Sequence, residues 1–198
     1  MKLISHRVNT LSQLKKTKTK YGVEVDIRSQ DKELIVHHDP FLRGEKFSNW
    51  IKEYRHGTLI LNVKEEGLED SLIDYMKKYK IDDFFFLDQS FPFLIKTIKS
   101  GEKRCAVRIS EFESIETALT LGGKIDWIWV DCFTKFPLSH DSFKSLKGLG
   151  FKMCIVSPEL QGFNPSTEIP KYIKLFKQEN ILPDAICSKR TDIWEQYI

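Results

Sequence analysis

Four cysteines stand in 198 residues, none of them in a Cys-x-x-Cys pair, which removes the usual spacing of a zinc site or a redox motif. Cys105, Cys132, Cys154 and Cys187 each sit in an apolar, strand-like run, the pattern of buried free thiols in a reducing compartment. No window approaches the roughly 18 consecutive apolar residues of a membrane span. The start of the chain has neither a long apolar segment nor a small-residue cleavage site. No secretory leader is therefore expected, and the expected location is the cytoplasm. No glycine-rich loop follows the first apolar run, which argues against a nucleotide-binding open sheet. Low-complexity tracts, internal repeats and linkers are missing too, so one domain spanning 1–198 is expected. A net charge of +3 is too small to point to nucleic acid. The run Lys15-Lys16-Thr17-Lys18-Thr19-Lys20 reads as a solvated helix face.

What the chain does have is a regular alternation. Short apolar runs at 3–7, 23–28, 34–37, 59–64, 84–88, 105–109, 127–132, 153–157 and 185–188 predict strands. Amphipathic stretches near 10–20, 47–55, 68–79, 92–99, 113–121, 140–148, 168–178 and 191–197 predict helices between them. Ser90-Phe91-Pro92, Ser110-x-x-Glu113 and Asn164-Pro165-Ser166 read as helix starts, and Gly101, Gly122-Gly123 and Gly150 as stops. With 34–37 taken as a return strand beside 23–28, eight βα units remain. That count predicts an α/β fold of the (β/α)₈ barrel type, compact and with trimmed loops, since the chain is short against the ~250 residues usual for a barrel.

Polar residues gather at the strand ends: His6 and Arg7, Asp26 and Arg28, Asn62 and Lys64, Asp88, Arg108 and Ser110, Asp131, Ser157, Ser188 and Lys189. In a barrel these ends form one rim, where active sites are built. Glu24 is different, because it sits mid-strand. Residues two apart share a strand face, so Glu24 and Asp26 project together while Val23, Val25 and Ile27 point the other way. Two carboxylates on a packed strand are costly unless something cationic meets them, and a divalent metal with oxygen ligands is the economical expectation. His37 and His38 alternate faces, so only one of them can join such a site. Two imidazoles, a carboxylate pair, an arginine and a lysine suit phosphodiester cleavage. Arg and Lys fit phosphate oxygens, and histidines exchange protons near neutral pH.

Taken in order, His6-Arg7, Asn9-Thr10, Glu24-x-Asp26 and His38-Asp39-Pro40 resemble the glycerophosphodiester phosphodiesterase family, within the wider group of phosphatidylinositol-phospholipase-C-like barrel phosphodiesterases. The motifs lie within 4–64, and the rest of the chain agrees mainly in its βα rhythm. The resemblance implies His6 and His38 as an acid–base pair, Arg7 and Lys64 as phosphate contacts, and Glu24 and Asp26 as ligands to a divalent metal, Mg²⁺ or Ca²⁺. The family's Glu-x-Lys on strand three is here Asn62-Val63-Lys64, so the third expected ligand, Asn62, offers an amide oxygen without charge. The first loop is cut back, and the stretch from Phe41 to Gly57 has no room for the family's inserted subdomain. The implied substrate is a glycerophosphodiester or a similar small phosphodiester. Alternatives are a cyclic-phosphate-forming, phospholipase-D-like lyase and a non-catalytic barrel that binds phosphate or metal. With no strongly amphipathic apolar helix, the substrate is expected to be soluble. Phe91, Phe93, Phe133 and Phe136 are expected to pack between loops.

Overall fold

The computed structural model describes residues 1–197, which divide into two compact units. Ser5–Cys105 forms one; Met1–Ile4 and Ala106–Ile198 form the other. Each has parallel strands alternating with helices, and the first also carries an antiparallel extension.

The chain opens with β1 (Lys2–Ser5) and reaches α1 (Leu11–Lys16), which starts with a complete capping box. Thr10 Oγ1 accepts from the Gln13 N–H (3.1 Å), and Gln13 Oε1 accepts from the N–H groups of Asn9 (2.9 Å) and Thr10 (3.0 Å). The helix stops at Lys16, short of the predicted 10–20. Beyond Thr17 the lysines leave it, and Lys18 and Lys20 lie over the Tyr21 ring instead. Strand β2 (Gly22–Gln30) then pairs antiparallel with β3 (Glu33–Val36), which pairs with the two-residue β4 (Glu45–Lys46). Strand β4 has no counterpart in the sequence reading, because two residues carry no periodicity. Helix α2 (Phe47–Trp50) runs into a 3₁₀ turn at Ile51–Glu53. On its other edge β2 pairs in parallel with β5 (Leu59–Val63), followed by α3 (Glu69–Tyr79), β6 (Phe84–Leu87) and α4 (Phe91–Lys99). Strands β5 and β6 are buried along their whole length, as parallel strands covered on both faces must be.

In the other unit, β7 (Ala106–Ile109), α5 (Ile115–Thr120), β8 (Trp127–Val130), α6 (His140–Gly148), β9 (Lys152–Val156), α7 (Pro165–Gln178), β10 (Ala185–Ser188) and α8 (Thr191–Trp194) succeed one another. Neighbouring strands pair in parallel in the order β7, β8, β9, β10, and β10 takes β1 on its free edge. Helix α5 starts one turn later than Ser110-x-x-Glu113 predicts. Ser110 and Glu113 instead close a turn on themselves, Oγ donating to Oε2 at 2.7 Å, and Ser114 caps the helix. Asn164 caps α7 as expected. Of the phenylalanines expected to pack between loops, Phe133 meets Phe112 there, Phe136 packs edge-on against Tyr172 and Phe176 of α7 instead, and Phe91 stays 49% exposed. Among the described residues no helix is long and apolar enough to cross a membrane.

Candidate active site

Every site residue predicted from the sequence lies in the Ser5–Cys105 unit. Strands β2 and β5 run in register, Glu24 beside Ile60 and Asp26 beside Asn62. Glu24 and Asp26 are wholly buried, and the cations that meet them are side chains. Lys64 Nζ lies 3.4 Å from Asp26 Oδ1 and 3.1 Å from Asp88 Oδ2. Arg7 Nε lies 3.8 Å from Asp26 Oδ2, and the Arg7 backbone N–H donates to Glu24 Oε2 at 2.6 Å. Asn62 Nδ2 donates to Glu24 Oε1 at 2.8 Å. Burial and the adjacent Asp26 charge still push Glu24 up to about 7, against those two donors and Lys64. Asp26 is gripped at two points by Asn9, whose Nδ2 donates to Oδ2 (2.7 Å) and whose Oδ1 accepts from the Asp26 N–H (3.0 Å).

His37 and His38 lie just past the end of β3 and meet different partners. His6 Nε2 stands 3.8 Å from Glu24 Oε2. His38 Nε2 is 2.6 Å from Arg7 Nη2, and its Nδ1 is 2.7 Å from Asp39 Oδ1. A guanidinium has no acceptor, so Nε2 of His38 carries the lone pair and Nδ1 carries the proton. That hydrogen bond, ahead of a small opposing burial effect, holds the Asp39 carboxyl below its ordinary value. His37 is turned to local use, its Nδ1 accepting from the Asp39 N–H at 3.0 Å. Arg7 itself adopts a left-handed backbone, φ 52°, a conformation that a long side chain holds only under constraint. Its N–H bond to Glu24 supplies one such constraint.

The donor set suits a hard cation. Asn62 Oδ1 is a buried acceptor without a hydrogen-bond donor among the described residues, and Asp26 Oδ1 makes no hydrogen bond there, facing only Lys64 Nζ at 3.4 Å. Two carboxylates and an amide are the oxygen ligands such an ion takes. Among the described residues no cluster of three or more His, Cys, Asp or Glu side chains could hold a metal ion.

No protein-family model matches this sequence, and no curated protein matches it. Solved structures do. The chain superposes on a glycerophosphodiester phosphodiesterase from Agrobacterium tumefaciens str. C58 with a TM-score of 0.65 at 13% identity, over 100% of this chain and 98% of that one. A glycerophosphoryl diester phosphodiesterase from Parabacteroides distasonis ATCC 8503 gives 0.66 at 12% identity, over 96% of this chain and 82% of that one. The fold is the one these two structures share. The eight βα units and the α/β class predicted from the sequence are what this likeness shows.

Three residues of the site escaped the sequence reading. Asn9 stands in the sequence only as part of the Asn9-Thr10 pair of the resemblance, yet it holds Asp26. Asp39 follows His38 directly and orients it. Asp88 was noted as one polar strand end among many, and its partnership with Lys64 depends on the pairing of β5 with β6. Of the other polar strand ends, Arg28 bonds to the His38 carbonyl (3.0 Å), and Arg108 pairs with Asp131 (2.9 Å) in the other unit.

Proposed function

We propose that residues 1–198 act as a single cytoplasmic phosphodiesterase domain, cleaving a glycerophosphodiester or a similar small phosphodiester. His6 and His38 are its acid–base pair, and Arg7 and Lys64 hold the phosphate oxygens. Glu24, Asp26 and Asn62 hold a divalent ion, Mg²⁺ or Ca²⁺. Bound there, the ion supplies neutralisation of the charge that gathers on the phosphate oxygens in the displacement.

The observation that carries the reading is the 2.6 Å contact between Arg7 and the Nε2 of His38. The guanidinium covers a nitrogen that bears a lone pair, while Asp39 holds the proton on the other nitrogen. A phosphodiester offers Arg7 two charged oxygens, stronger acceptors than a neutral imidazole. As Arg7 turns to them, the His38 lone pair is uncovered beside the phosphate, placed to take the proton of the attacking hydroxyl. His6, close to the Glu24 carboxyl, then gives its proton to the departing alkoxide. Cleavage by water yields a phosphomonoester and a free alcohol, with each histidine left in the other's starting state and reset through solvent.

The test is hydrolysis of a glycerophosphodiester by the purified chain with Mg²⁺, Ca²⁺ or Mn²⁺ and with a chelator, following phosphomonoester release. Turnover that His6→Ala and His38→Ala each remove supports the reading. Absence of product under every condition refutes it.

A further inference from the structure

Lys64 stands between two carboxylates of unequal burial. Its backbone is fixed beside β2, since the Lys64 N–H donates to the Ile27 carbonyl at 3.0 Å. Its Nζ lies 3.4 Å from Asp26 Oδ1 and 3.1 Å from Asp88 Oδ2. Asp26 is wholly buried, whereas the Asp88 side chain is 24% exposed. A buried carboxylate oxygen loses more by missing a hydrogen bond than one that water can reach. On that ground alone the ammonium belongs to Asp26. Instead it donates to Asp88 Oδ2, and Asp26 Oδ1 keeps an ionic contact without a hydrogen bond.

The local fold explains how Asp88 comes to hold the lysine. Strand β6 ends at Leu87, which pairs with Asn62, and Asp88 leaves the strand with a left-handed backbone, φ 60°. Aspartate is among the few side chains that take this conformation readily. Lys64 follows Asn62 just as Asp88 follows Leu87, so the two side chains meet across adjacent strands. An ammonium carries three N–H groups, and one given to Asp88 leaves the others for phosphate oxygens. The same hydrogen bond keeps the ammonium from closing on Asp26 Oδ1, the buried oxygen that a divalent ion needs.

We propose that Asp88 is a positioning residue that holds Lys64 off Asp26 and so keeps Asp26 Oδ1 open to the divalent ion. The proposal rests on the metal-dependent reading above and deepens it, because it explains how a lysine and a divalent cation share one carboxylate. Without the Asp88 carboxylate the ammonium bonds to Asp26, and an arriving ion must first displace it.

The experiment is a double-mutant cycle read by calorimetry, in which Mg²⁺ or Ca²⁺ is titrated into the full chain after treatment with chelator. Asp88→Asn removes the charge and suits the left-handed backbone. Asp88→Gly suits it too and repeats the test should the first variant misfold. Either change weakens divalent binding, and it does so about tenfold more in the parent than in a Lys64→Met background, because only in the parent must the ion break a charge-assisted hydrogen bond. The direct pull of the Asp88 charge on the ion is common to both backgrounds and cancels in that ratio. A crystal structure of Asp88→Asn shows Lys64 Nζ within hydrogen-bond distance of Asp26 Oδ1. Equal losses in the two backgrounds overturn the proposal, as does a lysine that stays where it is. Failure of the parent chain to bind either ion sinks the metal-dependent reading and the proposal with it. Binding with equal losses sinks the proposal alone.

Discussion

Replacing Asn62 by Asp exchanges one NH₂ group for an oxygen at nearly constant volume, in a buried position where every charge matters. In the native site the amide donates to Glu24 Oε1 at 2.8 Å. The variant loses that bond, about 1.5–3 kcal/mol for a hydrogen bond to a charged group. It also sets a third carboxylate against Glu24, which burial and Asp26 have already pushed up to about 7. Lys64, 3.4 Å from Asp26, offsets part of this. Without divalent ions the expected net loss is about 2–4 kcal/mol, which in a domain of this length lowers Tm by roughly 5–15 °C. A cation held by Glu24, Asp26 and residue 62 reverses the sign. The extra charge now strengthens binding, and an ion at a hundredfold over its Kd returns about 2.7 kcal/mol. Melting curves by circular dichroism, taken in chelator and then in millimolar Mg²⁺ or Ca²⁺, read both halves. A variant that melts with the parent in chelator refutes the Asn62–Glu24 bond. A deficit that no divalent ion recovers refutes residue 62 as a ligand.

Three further outcomes are expected. His6→Ala and His38→Ala each lower kcat/KM by ~10²-fold or more while His37→Ala, whose ring serves the Asp39 backbone, changes it little; equal losses at His37 and His38 in steady-state assays would contradict the assignment. Asn9→Ala leaves the buried Asp26 N–H unsatisfied, so urea denaturation should show a loss of about 1–3 kcal/mol, together with a fall in kcat as Asp26 loosens. The third outcome concerns the Glu111 carboxylate, which burial alone would raise. It is instead held at about 2, against its usual 4.5, by N–H donors of Lys135 and Thr134. Its stabilisation is therefore complete above pH 4.5 and lost as pH falls through 2. Glu111→Gln should be about 1–2 kcal/mol less stable at neutral pH, after allowing for solvent screening, and equal to the parent near pH 2. A deficit that persists in acid would mean the loop is lost for other reasons.

The strands were the most legible part of the sequence. Phe84–Leu87 is an unbroken apolar run and Leu59–Val63 is broken only by Asn62, the pattern of strands covered on both faces. Helix starts were legible at Ser90-Phe91-Pro92, where α4 begins, and at Asn164, whose side chain caps α7. They failed at Ser110, where the cap-like pair Ser110 and Glu113 satisfies itself and leaves the true cap to Ser114. In the site, the period-two alternation of β2 was enough to bring Glu24 and Asp26 together. The cations that answer them were not legible as partners. Arg7 reaches them through a left-handed backbone, and Lys64 finds Asp88 because Asn62 pairs with Leu87 across two strands. Conformations of that kind and strand register are tertiary facts, and no local pattern encodes them.

The pairing of β1 with β10 has a consequence for the order in which the molecule can be made. The Lys2 N–H donates to the Asp184 carbonyl at 2.7 Å, joining residues from the two far ends of the chain. The unit that carries the candidate chemistry spans Ser5–Cys105, so on a ribosome, at ~5–20 residues per second, it is made before any of the strands β7 to β10. The other unit cannot close until its last strand emerges and finds a segment made at the very beginning. The pairing of β1 with β10 is thus the slow, long-range step of a high-contact-order fold. During synthesis the chain would thus gain the residues of its chemistry early and the far-end pairing of its sheet last.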